Sequence, residues 1–372
     1  MGTSFLIKKE GLENIQKLDT LQINKIASFI SNTLCEAFPE LHLSQSDLFI
    51  QISRLDMYKA KMPDGASAKY VYGNSEIYFN EDLDFDNIDI PAIHECIHYI
   101  QETKDSKGKL LKLGLYDLTK ETGLAINEAA VQLVATRSKI ARYENVIYYG
   151  MSFQTESPEY YPLECALLSQ MVYFTGNEPM YFSTLYGNTM FEKEFRNASI
   201  GNSYTQIVNE MDKLLYVEND LNLLSQKLLN ADQGSSRLLQ FQIENKKKSI
   251  ISHCLKTQNM IIQTCLNRRF QDIQSFDDIR DYENTLEDFK KMLIMPENYS
   301  FYEDYCLKMQ DKIRLKKDQI IKFGKVLDTP KEYIYETDET LGNNSNLPVA
   351  TSVKKLSKFQ QFLQALKDII LG

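Results

Sequence analysis

The sequence predicts an α+β fold: a small sheet near the N-terminus, then a chain that is helical almost to its end. Two runs rich in β-branched and aromatic residues, 47–56 and 69–80, suit a pleated, half-buried surface. From residue 89 onward, apolar residues recur mostly at the three- and four-residue spacing of helices. At 372 residues, 43% of them apolar and 25% charged, the chain is long enough for two or three domains with buried cores. The same figures exclude collagen-like, wholly disordered and disulfide-scaffold classes.

The elements follow in order. Leu12, Ile15, Leu18, Leu21, Ile26, Phe29, Ile30 and Leu34 keep helical spacing until Pro39, so one or two helices should lead the chain. A small sheet over 47–80 should include a hairpin turning at Gly73-Asn74. Asp89 and Pro91 open a helix running to about Glu102, and 122–141, rich in Ala, Leu, Ile and Val, reads as another. The Tyr-rich stretch 143–195 reads as helices broken by Gly150, Pro158, Pro162, Gly176 and Pro179. From Tyr204 to Phe323 the spacing suggests antiparallel helical hairpins, interrupted at 232–236 and 296–298.

The expected organisation is therefore a first domain over 1–203, a helical module over 204–325, a linker over 326–349 and a terminal amphipathic helix over 350–372. The linker's 336–348 part is polar, with Gly342-Asn-Asn-Ser-Asn346 at its centre. In the last helix Val353, Leu356, Phe359, Phe362, Leu363, Leu366, Ile369 and Ile370 share a face opposed by Lys354, Lys355, Lys358 and Lys367. Such a helix could rest on an anionic membrane surface. Docking on the protein's own body or on a partner is the simpler reading.

A formal charge of -9 and an isoelectric point near 5.2 argue against a nucleic-acid partner, which calls for clustered Lys and Arg. No run approaches the roughly 18 apolar residues of a membrane-spanning helix, and no secretory leader is visible, so cytoplasmic residence is expected. Cys35, Cys96, Cys165, Cys254, Cys265 and Cys306 show no short paired spacing, which suits reduced, mostly buried thiols.

Only four histidines occur, yet two stand four apart as His94-Glu95-Cys96-Ile97-His98. This is the His-Glu-x-x-His pattern: four residues along a helix bring both imidazoles to one side, where they can converge on one zinc ion. Glu95 rotates away from the ligands while staying close enough to act on a water, which suits a general base. Zinc bound by two histidines needs a third protein ligand. Glu128, a carboxylate in the otherwise apolar run Gly123-Leu-Ala-Ile-Asn-Glu-Ala-Ala-Val131, is the best candidate, because ligation would relieve the cost of burying it.

His94 to His98, followed by Ile126-Asn127-Glu128-Ala129, resembles the gluzincin group of zinc metallopeptidases, the thermolysin-like enzymes, over about residues 47–142. The resemblance implies a zincin-like domain, with His94, His98 and Glu128 as zinc ligands and Glu95 as the base of metal-assisted peptide hydrolysis. It also implies that Glu76-Ile-Tyr-Phe-Asn80 is the sheet-edge strand lining the cleft for a peptide or protein substrate. One departure stands out. Where these enzymes carry an aspartate orienting a ligand histidine, this chain has Gln132, which can accept the ring N–H but adds no charge.

The group commonly supplies a Tyr or His to stabilise the oxyanion. Tyr148, Tyr149, Tyr160, Tyr161 and His253 are candidates, with Tyr161 preferred because Pro158-Glu-Tyr-Tyr-Pro162 is a rigid, turn-prone segment. The alternative reading is a zincin-like domain without turnover that serves as a regulatory or protein-binding module.

Overall fold

Asp19 decides where the first helix begins. In the computed structural model its side chain accepts the N–H of Gln22 at 2.8 Å while the Gln22 side chain accepts that of Asp19 at 3.1 Å. This reciprocal cap starts α1 (Thr20–Ala37). The residues just before it, helical by their spacing alone, instead form the exposed strand β1 (Glu13–Lys17). The structure describes residues 11–328 except 63, 64, 73, 140, 141, 296 and 298. The expected linker beyond 328 and the amphipathic helix over 350–372 lie outside the described residues.

A second cap corrects a second expectation. Ser44 accepts the N–H of Asp47 and opens α2 (Gln45–Ser53), so the strand expected over 47–56 is helical for most of its length. Leu48, Ile50 and Ile52 fit a period of two as well as a helix turn; burial of Leu48 and Ile52 four apart, with Ile50 exposed, goes with the helix. Strand β2 (Asp56–Lys61) follows, and β3 (Ala68–Val71) with β4 (Glu76–Asn80) forms the expected antiparallel hairpin.

The sheet order is β1-β2-β4-β3, with β2 and β4 parallel from Asp56↔Glu76 to Ala60↔Asn80. This pairing covers the second side of β4, so 76–80 is an interior strand and the edge belongs to β3, contrary to the placement drawn from the resemblance.

Helix α3 (Ile90–Ile100) comes next, then a three-stranded sheet of β5 (Glu102–Lys104), β6 (Leu110–Leu113) and β7 (Tyr116–Asp117), then α4 (Leu124–Arg137). The Tyr-rich stretch departs from the helical expectation at its start. Tyr149 and Gly150, at φ 51° and 83°, form the two-residue turn of a hairpin between β8 (Glu144–Tyr148) and β9 (Met151–Thr155). Burial alternates along β9, so its pattern is that of a strand.

Helices α5 (Pro162–Thr175), α6 (Asn177–Tyr186) and α7 (Met190–Ala198) complete this part. Beyond it α8 (Ser203–Leu229) and α9 (Gln233–Ile261) form a long hairpin, and a π turn (Ile262–Leu266) leads to α10 (Asn267–Gln271), α11 (Phe276–Lys290) and α12 (Ser300–Asp328). The architecture is thus α+β, mostly helical with small sheets. No helix among the described residues is long and apolar enough to cross a membrane.

The helical part expected as a separate module shares a core with what precedes it: one cluster of buried apolar side chains runs from Leu18 to Ile313. Asp212 of α8 ties the two together. Its carboxylate accepts the N–H groups of Gly123 at 2.8 Å and Ala125 at 2.9 Å, capping α4, whose own N-cap is a glycine without a side chain to do so.

Two buried carboxyls, Glu164 of α5 and Glu218 of α8, face each other. Burial pushes both above their ordinary value of 4.5, and the charge of Glu164 pushes Glu218 further. Because the folded state binds their protons more tightly than the unfolded chain, their contribution to stability is full below about pH 4.5 and is lost as pH rises. Urea midpoints should therefore fall as pH rises above about 4.5. Glu218→Gln, whose amide can donate to Glu164, should flatten that fall. Parallel curves for the two proteins would show that the pair is not its source.

Candidate metal centre

The site is assembled from two helices and one strand. Asp89 caps α3 by accepting the N–H of Ala92 at 3.0 Å, and Pro91 sits in the first turn, where its missing N–H costs nothing. From there Ile93, Ile97 and Ile100 bury one stripe of the helix. His94 and His98, 5% and 2% exposed, project together from α3. Helix α4 is buried from Ala125 to Thr136, and Glu128, 8% exposed, faces the two imidazoles from it.

The three groups meet edge to edge. His94 Nε2 lies 3.0 Å from His98 Nε2 and 3.2 Å from Glu128 Oε2, and His98 Nε2 lies 3.5 Å from the same oxygen. Donors 2.0–2.1 Å from a tetrahedral zinc stand about 3.3 Å apart, so this triangle has the dimensions of three zinc ligands. Among the described residues it is the group of His, Cys, Asp and Glu side chains placed to hold a metal. Burial acts to raise the Glu128 carboxyl, but the charges and hydrogen bonds of His98 and His94 outweigh it and hold that carboxyl below its usual range. A buried anion facing two imidazole nitrogens is a donor set that suits a divalent cation.

Behind the triangle, His94 Nδ1 lies 2.9 Å from Gln132 Oε1, so the outer contact expected of Gln132 is made. His98 Nδ1 meets the Gln101 side chain at 2.7 Å. Gln101 had a signal in the sequence: it stands seven residues after His94 and three after His98, on the same helix face. Asn127, beside Glu128, accepts the N–H of Leu115 at 3.0 Å and so anchors the loop between β6 and β7.

Glu95 stands apart from the ligand triangle. Its Oε2 accepts the N–H of Tyr70 from edge strand β3 at 2.8 Å. Burial pushes its carboxyl up to about 7, against the opposing pull of His94 and the Tyr70 N–H. The strand is tied to the segments flanking α3: Ser67, just before it, bonds the α3 cap Asp89, and the Tyr70 hydroxyl bonds Glu102 of β5, each at 2.5 Å. These contacts depend on which strand lies beside α3, which no spacing in the sequence reveals.

Of the proposed oxyanion donors the structure brings one to the cluster. The Tyr161 ring stacks on His94 at 6.0 Å, close enough to Glu128 for that carboxylate to act on its phenol. Tyr161 adopts φ 51° as the N-cap of α5, which swings its ring back toward α3. Tyr72, not anticipated, sets its ring edgewise to His98 at 5.5 Å. Burial, with Glu128 and Glu95 nearby, raises both phenols well above their ordinary range, so both remain protonated donors.

Three others are engaged elsewhere and the fourth is exposed: His253 Nδ1 bonds Glu210 at 2.6 Å, Tyr149 donates to Tyr148 at 3.3 Å beside Glu218 and Glu164, and Tyr160 is 45% exposed. Comparison of the chain with protein-family models, with curated proteins and with solved structures found no match, which leaves the chemistry of this cluster as the guide to function.

Proposed function

We propose that the chain is a zinc-dependent peptidase of the gluzincin type, with a zincin-like domain acting in the cytoplasm on peptide or protein substrates. The observation that carries this reading is the triangle of His94 Nε2, His98 Nε2 and Glu128 Oε2, with sides of 3.0 to 3.5 Å and a carboxylate, Glu95, beside it but outside it. His94, His98 and Glu128 would hold the ion. Zinc there supplies Lewis acidity toward a carbonyl oxygen and toward water.

The chain's own groups do the rest. Glu95 Oε1, the oxygen not held by Tyr70, takes a proton from the attacking water and returns it to the leaving amide nitrogen as the C–N bond breaks. Tyr161, stacked on His94, offers a phenolic donor for the oxyanion, and Tyr72 offers a second on the His98 side.

The second reading, a zincin-like regulatory module that binds metal without turnover, is favoured by the near-complete burial of all three ligands. One experiment addresses both. Protein purified without chelator should contain one equivalent of zinc, and His98→Ala should contain almost none. Equal zinc in the two proteins would remove the ligand assignment. Zinc in the wild type, with no cleavage across a broad peptide library, would favour the regulatory module.

A further inference from the structure

Both ligand imidazoles turn Nε2 inward, and each Nδ1 meets a side-chain amide. At His94 the partner is the Gln132 carbonyl oxygen, an acceptor that keeps the ring proton on Nδ1 and leaves Nε2 free. At His98 the nearer atom is the Gln101 amide nitrogen, 2.7 Å from Nδ1. A nitrogen donating there places the His98 proton on Nε2, where it points at His94 Nε2 3.0 Å away. In that orientation His98 Nε2 carries a hydrogen where a ligand needs a lone pair, and His94 Nε2 faces the Glu128 carboxylate at 3.2 Å with no proton between them.

The same arrangement leaves Gln101 Oε1 buried with no hydrogen-bond partner, an expense that a half-turn of the amide removes. After the turn the oxygen accepts from His98 Nδ1–H and Nε2 presents its lone pair to the cluster. The NH2 group then occupies the place beside Gly114 where Asn127 Oδ1 also lies. Gly114 makes the room: a Cβ there would collide with Gln101 Oε1 and stand 2.7 Å from Asn127 Oδ1. The backbone at 114, φ 52°, is also one that glycine adopts without strain.

We propose that Gln101 is a positioning residue of the metal site: its side-chain oxygen accepts from His98 Nδ1–H and so presents the Nε2 lone pair to the cluster. The inference rests on the metal-site reading above. With Gln132 it gives both ligand histidines neutral amide supports, so the imidazoles lack the added basicity that a carboxylate partner confers.

Zinc affinity measured by competition with a chromophoric chelator tests this without reference to activity. Gln101→Met, similar in volume but without the amide, should bind zinc about 10- to 100-fold more weakly than wild type. Gln101→Glu, which can accept but not donate, should bind at least as tightly as wild type. Wild-type affinity in the methionine variant, or weaker binding by the glutamate variant than by the methionine one, would overturn the proposal.

A second measurement needs no variant. The cobalt(II)-loaded wild-type protein should show two slowly exchanging, paramagnetically shifted ring N–H resonances, one for each Nδ1. A single such resonance would overturn the assignment for Gln101 while leaving the metal site standing. Failure of the wild type to bind either zinc or cobalt(II) would overturn the metal site itself.

Discussion

Glu95→Gln is expected to lower peptide hydrolysis by about 10²- to 10⁴-fold, the usual contribution of a general acid–base group, with zinc content and the unfolding transition close to those of the wild type. The geometry separates the two outcomes. Glu95 lies outside the triangle of ligand atoms, and the Tyr70 N–H can bond an amide oxygen as well as a carboxylate, so the substitution removes proton transfer without removing a ligand. Turnover of a native substrate by Glu95→Gln at the wild-type rate, in steady-state assays, would be incompatible with the proposed mechanism.

Glu128→Gln should fail in a different way. It replaces the one anionic ligand by a neutral amide whose oxygen is a poorer donor, and whose nitrogen would face His94 or His98 if the group turned. Outer contacts to metal ligands are commonly worth 10- to 100-fold in affinity, and loss of a direct anionic ligand should exceed about 100-fold. Chelator competition reads this directly. An affinity for zinc within a few-fold of wild type would mean that Glu128 does not hold the ion. Together the two variants distinguish a group that moves protons from one that retains the metal.

Much of the site was legible because its elements are local. The spacing of His94 and His98 is a helical repeat, Asp89 and Pro91 mark the start of that helix, and a carboxylate at 128 amid Ala, Ile and Val calls for a partner. Gln132 was legible for the same reason, one helical turn beyond Glu128. Elsewhere local patterns were ambiguous. Leu48, Ile50 and Ile52 fit either a strand or a helix, and the Ser44 cap matches the helical outcome. Leu12, Ile15 and Leu18 fit a helix that begins only after Asp19.

The sequence by itself determined the α+β class, the motif helix and the chemical identity of the side chains that cluster, because these depend on residue type and on periods of two or 3.6 within one segment. The tertiary structure decided which strand borders Glu95, since β2 pairs in parallel with β4 and leaves β3 at the edge. It also decided that Asp212, nearly ninety residues downstream, caps the helix carrying Glu128, and that Tyr72 flanks His98. Such contacts arise when distant segments share one core, and no repeat within a segment encodes which distant partner will satisfy a buried N–H or an exposed strand edge.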